Sequence, residues 1–194
     1  MKKNLLVVGS GGHLNSVIDI IKNSKNFKVM GYLDNDHKKI GKLFFNSKVL
    51  GSDDLLDHYK KKGIKNIFLA VGLIKNSKQR LKLIKKLIKK KFNFPNFYSD
   101  SSIVSKYTKF GFGNIVMKQA LVNNNVKIGN FNIINNKSLI EHDVTIGSNV
   151  HISTGVIING DVKIGDNVFI GSGSVITNKK IIKSNSFLKA GTII

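Results

Sequence analysis

Two imidazoles stand close together in the rear half of the chain. His142 lies in the segment Ile140-Glu141-His142-Asp143, and His151 follows nine residues on. An imidazole, with an ordinary pKa of about 6.5, can accept a proton near neutral pH. A carboxylate beside it can hold one tautomer and stabilise the imidazolium that forms. Glu141 and Asp143 both stand in a position to do so. Such a pair suits general-base removal of a proton from an amine or hydroxyl. A lone histidine on a protein surface needs no function. Two within ten residues, in a segment otherwise of Ile, Val, Gly and Asn, are less expected. The chain has no Cys, which excludes a thiol nucleophile and a Cys-ligated zinc. A hydrating metal centre would need three His ligands, and the rear half holds only His142 and His151, so no metal is expected.

A second feature with chemical potential is the loop Gly9-Ser10-Gly11-Gly12-His13. Glycine lets backbone amides approach a phosphate, and a helix N-terminus favours an anion. The loop is not the dinucleotide fingerprint, because Leu14 occupies the place of the third Gly, so NAD is not expected. The plain alternative is an ordinary strand-to-helix turn.

Those residues need elements to position them. From Met1 to about Tyr98, short apolar runs alternate with helical stretches. Strands are predicted at 5–8, 28–33, 66–71 and 93–98. Helices are predicted at 14–23, 53–62 (capped by Ser52) and 77–91, the last amphipathic through Leu81, Ile84, Leu87 and Ile88. This alternation implies a parallel sheet carrying helices, a Rossmann-like α/β domain over residues 1–100.

Beyond Ser101 the period becomes six. Every sixth residue from Val104 to Ile194 is bulky and apolar, sixteen positions in one phase. At 41% hydrophobic content the chance of this is on the order of 10⁻⁶. A second stripe runs four residues on, through Val144, Val150, Val156, Val162 and Val168. Gly often follows the first stripe, as at Gly129, Gly147, Gly165 and Gly171. A strict six predicts a parallel β-solenoid over residues 101–194, three hexads to a triangular coil and about five coils.

Lys and Arg number 32 against 11 Asp and Glu, a formal net charge of +21. An anionic partner is one reading of this surplus. A lysine-rich composition is the other. The lysines are spread along the chain, without the aromatic and basic interleaving of an RNA-binding sheet, so no nucleic-acid partner is expected. The apolar run Leu5–Val8 is too short for a signal peptide core or a membrane span, and a cytoplasmic protein without membrane insertion is expected.

The hexad stretch 103–194 resembles the hexapeptide-repeat acyltransferases, which form left-handed β-helices. The whole chain resembles a narrower group, the sugar O- and N-acetyltransferases of the sialic acid O-acetyltransferase and bacillosamine-pathway type. Four segments carry the likeness: VVGSGGH at the start, GYLDND followed by VLGSDDL, AVG with the later Arg80, and SLIEHDVTIGSNVH among the hexads. The resemblance implies acetyl transfer from acetyl-CoA to a sugar. The amine of a nucleotide-linked amino sugar is the first choice of acceptor, and a hydroxyl of sialic acid or a related sugar the second. It implies His142 as general base with Asp143 as its carboxylate, Glu141 competing, and His151 and Gly160 at acetyl-CoA. Gly11, Gly12 and His13 would hold the nucleotide-sugar pyrophosphate, and Asp34 and Asn35 would lie by the nucleobase. It also implies a homotrimer with acetyl-CoA between neighbouring β-helices. Two departures stand out. Relatives place a small residue and then Lys after the loop His, where Leu14 and Asn15 stand here. Relatives also run on into a Gly-x-Pro-Ala-Lys-like tail bordering CoA, whereas this sequence stops at Ile194 in hexad phase. The tail is either cut off or absent, and a weaker hold on CoA is the expectation. A non-catalytic module that senses a sugar nucleotide is the rival from another class.

Overall fold

The computed structural model describes residues 1–73 and 77–194, Ser77 by its backbone alone. The chain divides into two compact units. One holds Met1–Gly72 and Lys78–Pro95; Leu73 and Asn96–Ile194 belong to the other.

The first unit is built on β1 (Lys3–Val8), α1 (Gly12–Lys22), β2 (Phe27–Leu33), β3 (Leu43–Phe44), β4 (Ser47–Gly51), α2 (Leu56–Lys61), β5 (Asn66–Leu69) and α3 (Ser77–Lys89). Leu5 to Val8 are all buried, as a strand covered on both faces requires. The sheet order is β3-β4-β2-β1-β5. β1, β2, β4 and β5 run parallel, but β3 returns antiparallel on β4, so the sheet is mixed. The hairpin was not anticipated. Its turn is Phe45-Asn46, both at positive φ (46° and 59°), and carries no Gly or Pro to mark it. The helix expected over 53–62 begins as a 3-10 turn, Asp53–Leu55, before α2. Ser52 does cap it, accepting from the Asp54 amide at 3.3 Å. On α3, Ile84 and Leu87 are buried while Ile88 is exposed, so the apolar face is narrower than its spacing suggested.

The strand expected at 93–98 is a correction. Asn93 makes one bridge to Asn66 in the first sheet, whereas Phe97–Tyr98 pairs with Ile115–Val116 and begins the solenoid. Pro95 lies between the two pairings and lacks the N–H a continuous ladder needs.

The second unit contains sixteen two-residue strands, β6 (Phe97–Tyr98) to β21 (Phe187–Leu188), in three parallel sheets of six, five and five. Each strand pairs with the strand three ahead, eighteen residues on, as Ile134 with Ile152 and Ile152 with Ile170. Three hexads per coil follow directly, in a left-handed β-helix. The period-six residues from Val116 to Ile182 are buried in one continuous core with the Val stripe, and Val104, Phe110 and Leu188 are partly buried at its ends. Every sixth residue from Gly113 to Gly191 adopts a left-handed backbone, including Asn125 (59°), Asp143 (63°) and Asn149 (57°). These turn residues are not the glycines that the sequence brings forward. Gly129 and Gly165 serve close stacking of coils instead: a Cβ on Gly129 would lie 2.7 Å from the Gly147 carbonyl oxygen.

Buried asparagines tie the lower coils together. The Asn132 side chain accepts from the Val150 amide at 2.6 Å and donates to the Gly147 carbonyl at 2.9 Å; Asn114 repeats this one coil below, on the Asn132 amide and the Gly129 carbonyl. Asn132→Ala leaves the buried Val150 amide without that partner, at about 1–3 kcal/mol, and the half-buried Gly147 carbonyl at less. Urea unfolding should show the loss, with the exposed Ser172→Ala within about 0.5 kcal/mol of wild type.

Candidate functional site

His142 occupies the corner between β13 (Leu139–Ile140) and β14 (Thr145–Ile146), next to the left-handed residue Asp143. This tight corner turns both side chains outward together. The His142 Nδ1 lies 2.8 Å from the Asp143 Oδ2, and both groups are exposed. The other Asp143 oxygen accepts from Asn125 Nδ2 at 2.5 Å, from one coil below. Glu141, the competing carboxylate, is engaged elsewhere: its Oε2 accepts from Asn123 Nδ2 at 2.7 Å. A carboxylate only accepts, so Nδ1 carries the proton toward Asp143, and the neutral ring keeps its lone pair on Nε2. The hydrogen bond to Asp143 raises the His142 pKa above its ordinary value. Slight burial opposes this, and the negative charges of Asp143, Asp161 and Glu141 reinforce it. The Asp143 pKa is lowered by the same bond, with Asn125 adding to the effect.

Gly160 stands eighteen residues from His142, hence one coil above it. A Cβ there would come within 2.8 Å of the ring Cε1 and 2.9 Å of Nε2. His151 does not share the corner. It lies on β15 (His151–Ile152), facing out from the six-stranded sheet while Ile152 faces in. The ring is buried, with Nδ1 2.9 Å from the Leu73 carbonyl and its edge against Phe169. Bonded to that carbonyl through Nδ1–H, it keeps its acceptor on Nε2, 3.5 Å from Asn135 Nδ2.

In the first unit, Gly9 is needed for its φ of 102° and for space, since a Cβ would lie 2.7 Å from the Val71 side chain. Gly11 is the N-cap of α1 and no side chain caps that helix; a Cβ on Gly11 or Gly12 would meet nothing within 4 Å. The amide end of α1 is thus open above the two glycines. His13 follows at the second helical residue, its Nε2 withdrawn from solvent. Asp34, expected at a nucleobase, is occupied by the chain itself. One oxygen accepts from the Ser10 amide at 2.8 Å and the Ser10 hydroxyl at 2.5 Å, the other from the Asp36 amide at 2.9 Å. Lys39 lies 3.3 Å from the same carboxylate and 3.4 Å from the Ser10 carbonyl. Burial pushes the Asp34 pKa up, but the Ser10, Asp36 and Lys39 hydrogen bonds outweigh it and the net direction is down. The Asn35 side chain accepts from the Asp53 amide at 3.0 Å. The tie of Ser10, within the glycine loop, to Asp34 and the approach of Lys39 have no signal in the sequence spacing. Arg80 is buried: its Nε donates to the Val71 carbonyl at 2.8 Å, and burial lowers its pKa to about 9. Among the described residues no group of three or more His, Asp or Glu is arranged to hold a metal, and no helix is long and apolar enough to cross a membrane.

Residues 4–87 match the PglD N-terminal domain, and residues 143–178 match the bacterial transferase hexapeptide (six repeats). No curated protein matches the chain in sequence. Among solved structures, the chain is similar to perosamine N-acetyltransferase from Caulobacter crescentus, in a histidine-to-asparagine mutant bound to CoA and GDP-perosamine. The two share 25% identity with a TM-score of 0.91, over 98% of this chain and 88% of that one. PerB of the same organism, also with CoA and GDP-perosamine, gives 26% identity and a TM-score of 0.90 over the same shares. The acetyltransferase domain of PglB from Neisseria gonorrhoeae gives 25% and 0.89, over 100% of this chain and 91% of that one. With a match to the PglD N-terminal domain in front and to a transferase hexapeptide β-helix behind, the chain is similar over nearly its full length to the hexapeptide-repeat sugar acetyltransferases of the PglD type.

Proposed function

We propose that the protein transfers the acetyl group of acetyl-CoA directly to the amine of a nucleotide-linked amino sugar, with His142 as general base. The observation that carries this is the exposed imidazole held through Nδ1, 2.8 Å from Asp143, on a transferase β-helix. The acceptor nitrogen attacks the thioester carbonyl carbon. The C–N bond forms as Nε2 of His142 takes the amine proton, the C–S bond breaks, and the departing thiolate is protonated to give CoA thiol. Asp143 holds the tautomer and stabilises the imidazolium. The relatives bound to CoA and GDP-perosamine support both the donor and the class of acceptor. The open amide end of α1 above Gly11 and Gly12 suits the pyrophosphate, with His13 beside it and Asp34 and Asn35 ordering the adjoining loops. Gly160 and His151 are assigned to the acetyl-CoA side. The assembly is a homotrimer working in the cytoplasm, where acetyl-CoA is supplied; the family resemblance supports both statements.

A thiol-release assay with acetyl-CoA and a panel of acceptors tests the reading. Nucleotide-linked amino sugars such as GDP-perosamine should release thiol, while free sugars offering only hydroxyls should not. Release with hydroxyl acceptors alone would move the activity to O-acetylation. No release, with no heat of CoA binding in calorimetry, would leave a non-catalytic binding module.

A further inference from the structure

One position of the hexad carries a side chain at every turn but one. It is the residue just before the left-handed turn, occupied by His142. At this position Asn136, Ser148, Thr154, Asp166, Ser172 and Ser184 all carry a side chain. Gly160 alone does not, and it stands one coil above the histidine, in the column Asn124, His142, Gly160, Asn178.

Glycine has two uses, a positive φ or empty space. Gly155, Gly173 and Gly191 have φ of 67°, 69° and 71° and open space around them, so conformation explains them. Gly160 shows the reverse: its backbone is one that any residue adopts, and the space is taken. For Gly129, Gly147, Gly165 and Gly171, the nearest atoms belong to the following coil and include backbone or a small polar side chain. For Gly160 the two nearest are the Cε1 and Nε2 of the imidazole on the preceding coil, at 2.8 and 2.9 Å from an added Cβ, with Asn178 Nδ2 of the following coil farther off at 3.4 Å.

We propose that Gly160 is a positioning residue, the bare ceiling under which the His142 ring lies so that Nδ1 reaches Asp143. The proposal rests on His142 being the base. A side chain at 160 requires something to shift, and because its Cβ meets the far end of the exposed His142 side chain, the ring is what turns. The ring that turns leaves the 2.8 Å bond to Asp143, and with it the fixed tautomer and the direction of the Nε2 lone pair.

Gly160→Ala tests this, since alanine is compatible with the backbone there. The His142 ring pKa, followed by NMR on histidine-labelled protein without substrate, should fall toward its ordinary value. Turnover should drop about tenfold or more in kcat, with KM for acetyl-CoA changed less, as expected for a misaligned base. In an Asp143→Asn background the same substitution should leave the ring pKa where it is. An unchanged ring pKa in Gly160→Ala overturns the proposal, and so does a defect confined to KM for acetyl-CoA, which would leave Gly160 with its donor contact alone. Should Gly160→Ala not fold, a nuclear Overhauser contact between the Gly160 α-protons and His142 Hε1 in wild type is the alternative measurement, and its absence overturns the proposal. Full activity in a His142 variant would reject the base assignment without touching the ring measurements.

Discussion

His142→Ala should lower acetyl transfer by about 10²–10⁴-fold, the usual contribution of a positioned general acid–base group, while the β-helix stays folded. The imidazole is exposed and its removal leaves no cavity, since the core column passes through Ile140 and Ile146 on either side. The loss should therefore appear in kcat with an unchanged circular dichroism spectrum. The pH profile carries a sharper form of the same prediction. Only the neutral ring can accept a proton, and the bond to Asp143 raises the ring's pKa. The wild-type rate should therefore rise with pH through that raised value and level off above it. Asp143→Asn removes the principal cause of the shift. Its rising limb should move to lower pH, and its plateau should fall because the tautomer is no longer held. A limb that stays in place in Asp143→Asn would detach Asp143 from the titrating group. Full thiol release by His142→Ala would end the base assignment altogether.

The parts of this site that are legible in the sequence follow the hexad. A period of six marks the inward column and the change of architecture. Three hexads per coil then make eighteen the spacing of spatial neighbours. That spacing was available for finding Asn125 beneath Asp143, Asn123 beneath Glu141 and Gly160 above His142, each eighteen residues from its partner. The spacing does not choose between Glu141 and Asp143, since each has an asparagine beneath it; the 2.8 Å approach of Asp143 to the His142 ring does. Contacts without a period are hidden. Lys39 reaches the Ser10 carbonyl across 29 residues, and Leu73 covers His151 across 78. No local pattern announces either, because each depends on where two loops come to rest. Phe97–Tyr98 shows the same limit in another way. A short apolar run after a helix reads as the next strand of the sheet before it, and only the pairing partner, Ile115–Val116, reveals that it opens the solenoid.

Ile152→Asp should unfold the β-helix. Ile152 is fully buried, sits between Ile134 and Ile170 on the coils below and above, and belongs to the continuous core. Losing the side chain removes about 1.5–3 kcal/mol of transfer free energy. The larger penalty comes from the carboxylate, which would enter a column of Ile and Val with no donor in reach. It must either ionise in an apolar interior or bind a proton at neutral pH, and each costs several kcal/mol. Domain stabilities of about 5–15 kcal/mol leave little to absorb this. A solenoid coil is held only by its neighbours, so the disruption spreads along the stack rather than remaining local. The comparison residue is Thr145, which faces out on β14, where its strand neighbours are Lys127 and Lys163. Thr145→Asp places the same charge between two lysines and should change the urea midpoint little, or raise it. A soluble Ile152→Asp protein with wild-type β-sheet dichroism would mean that the period-six column is not the core of this molecule.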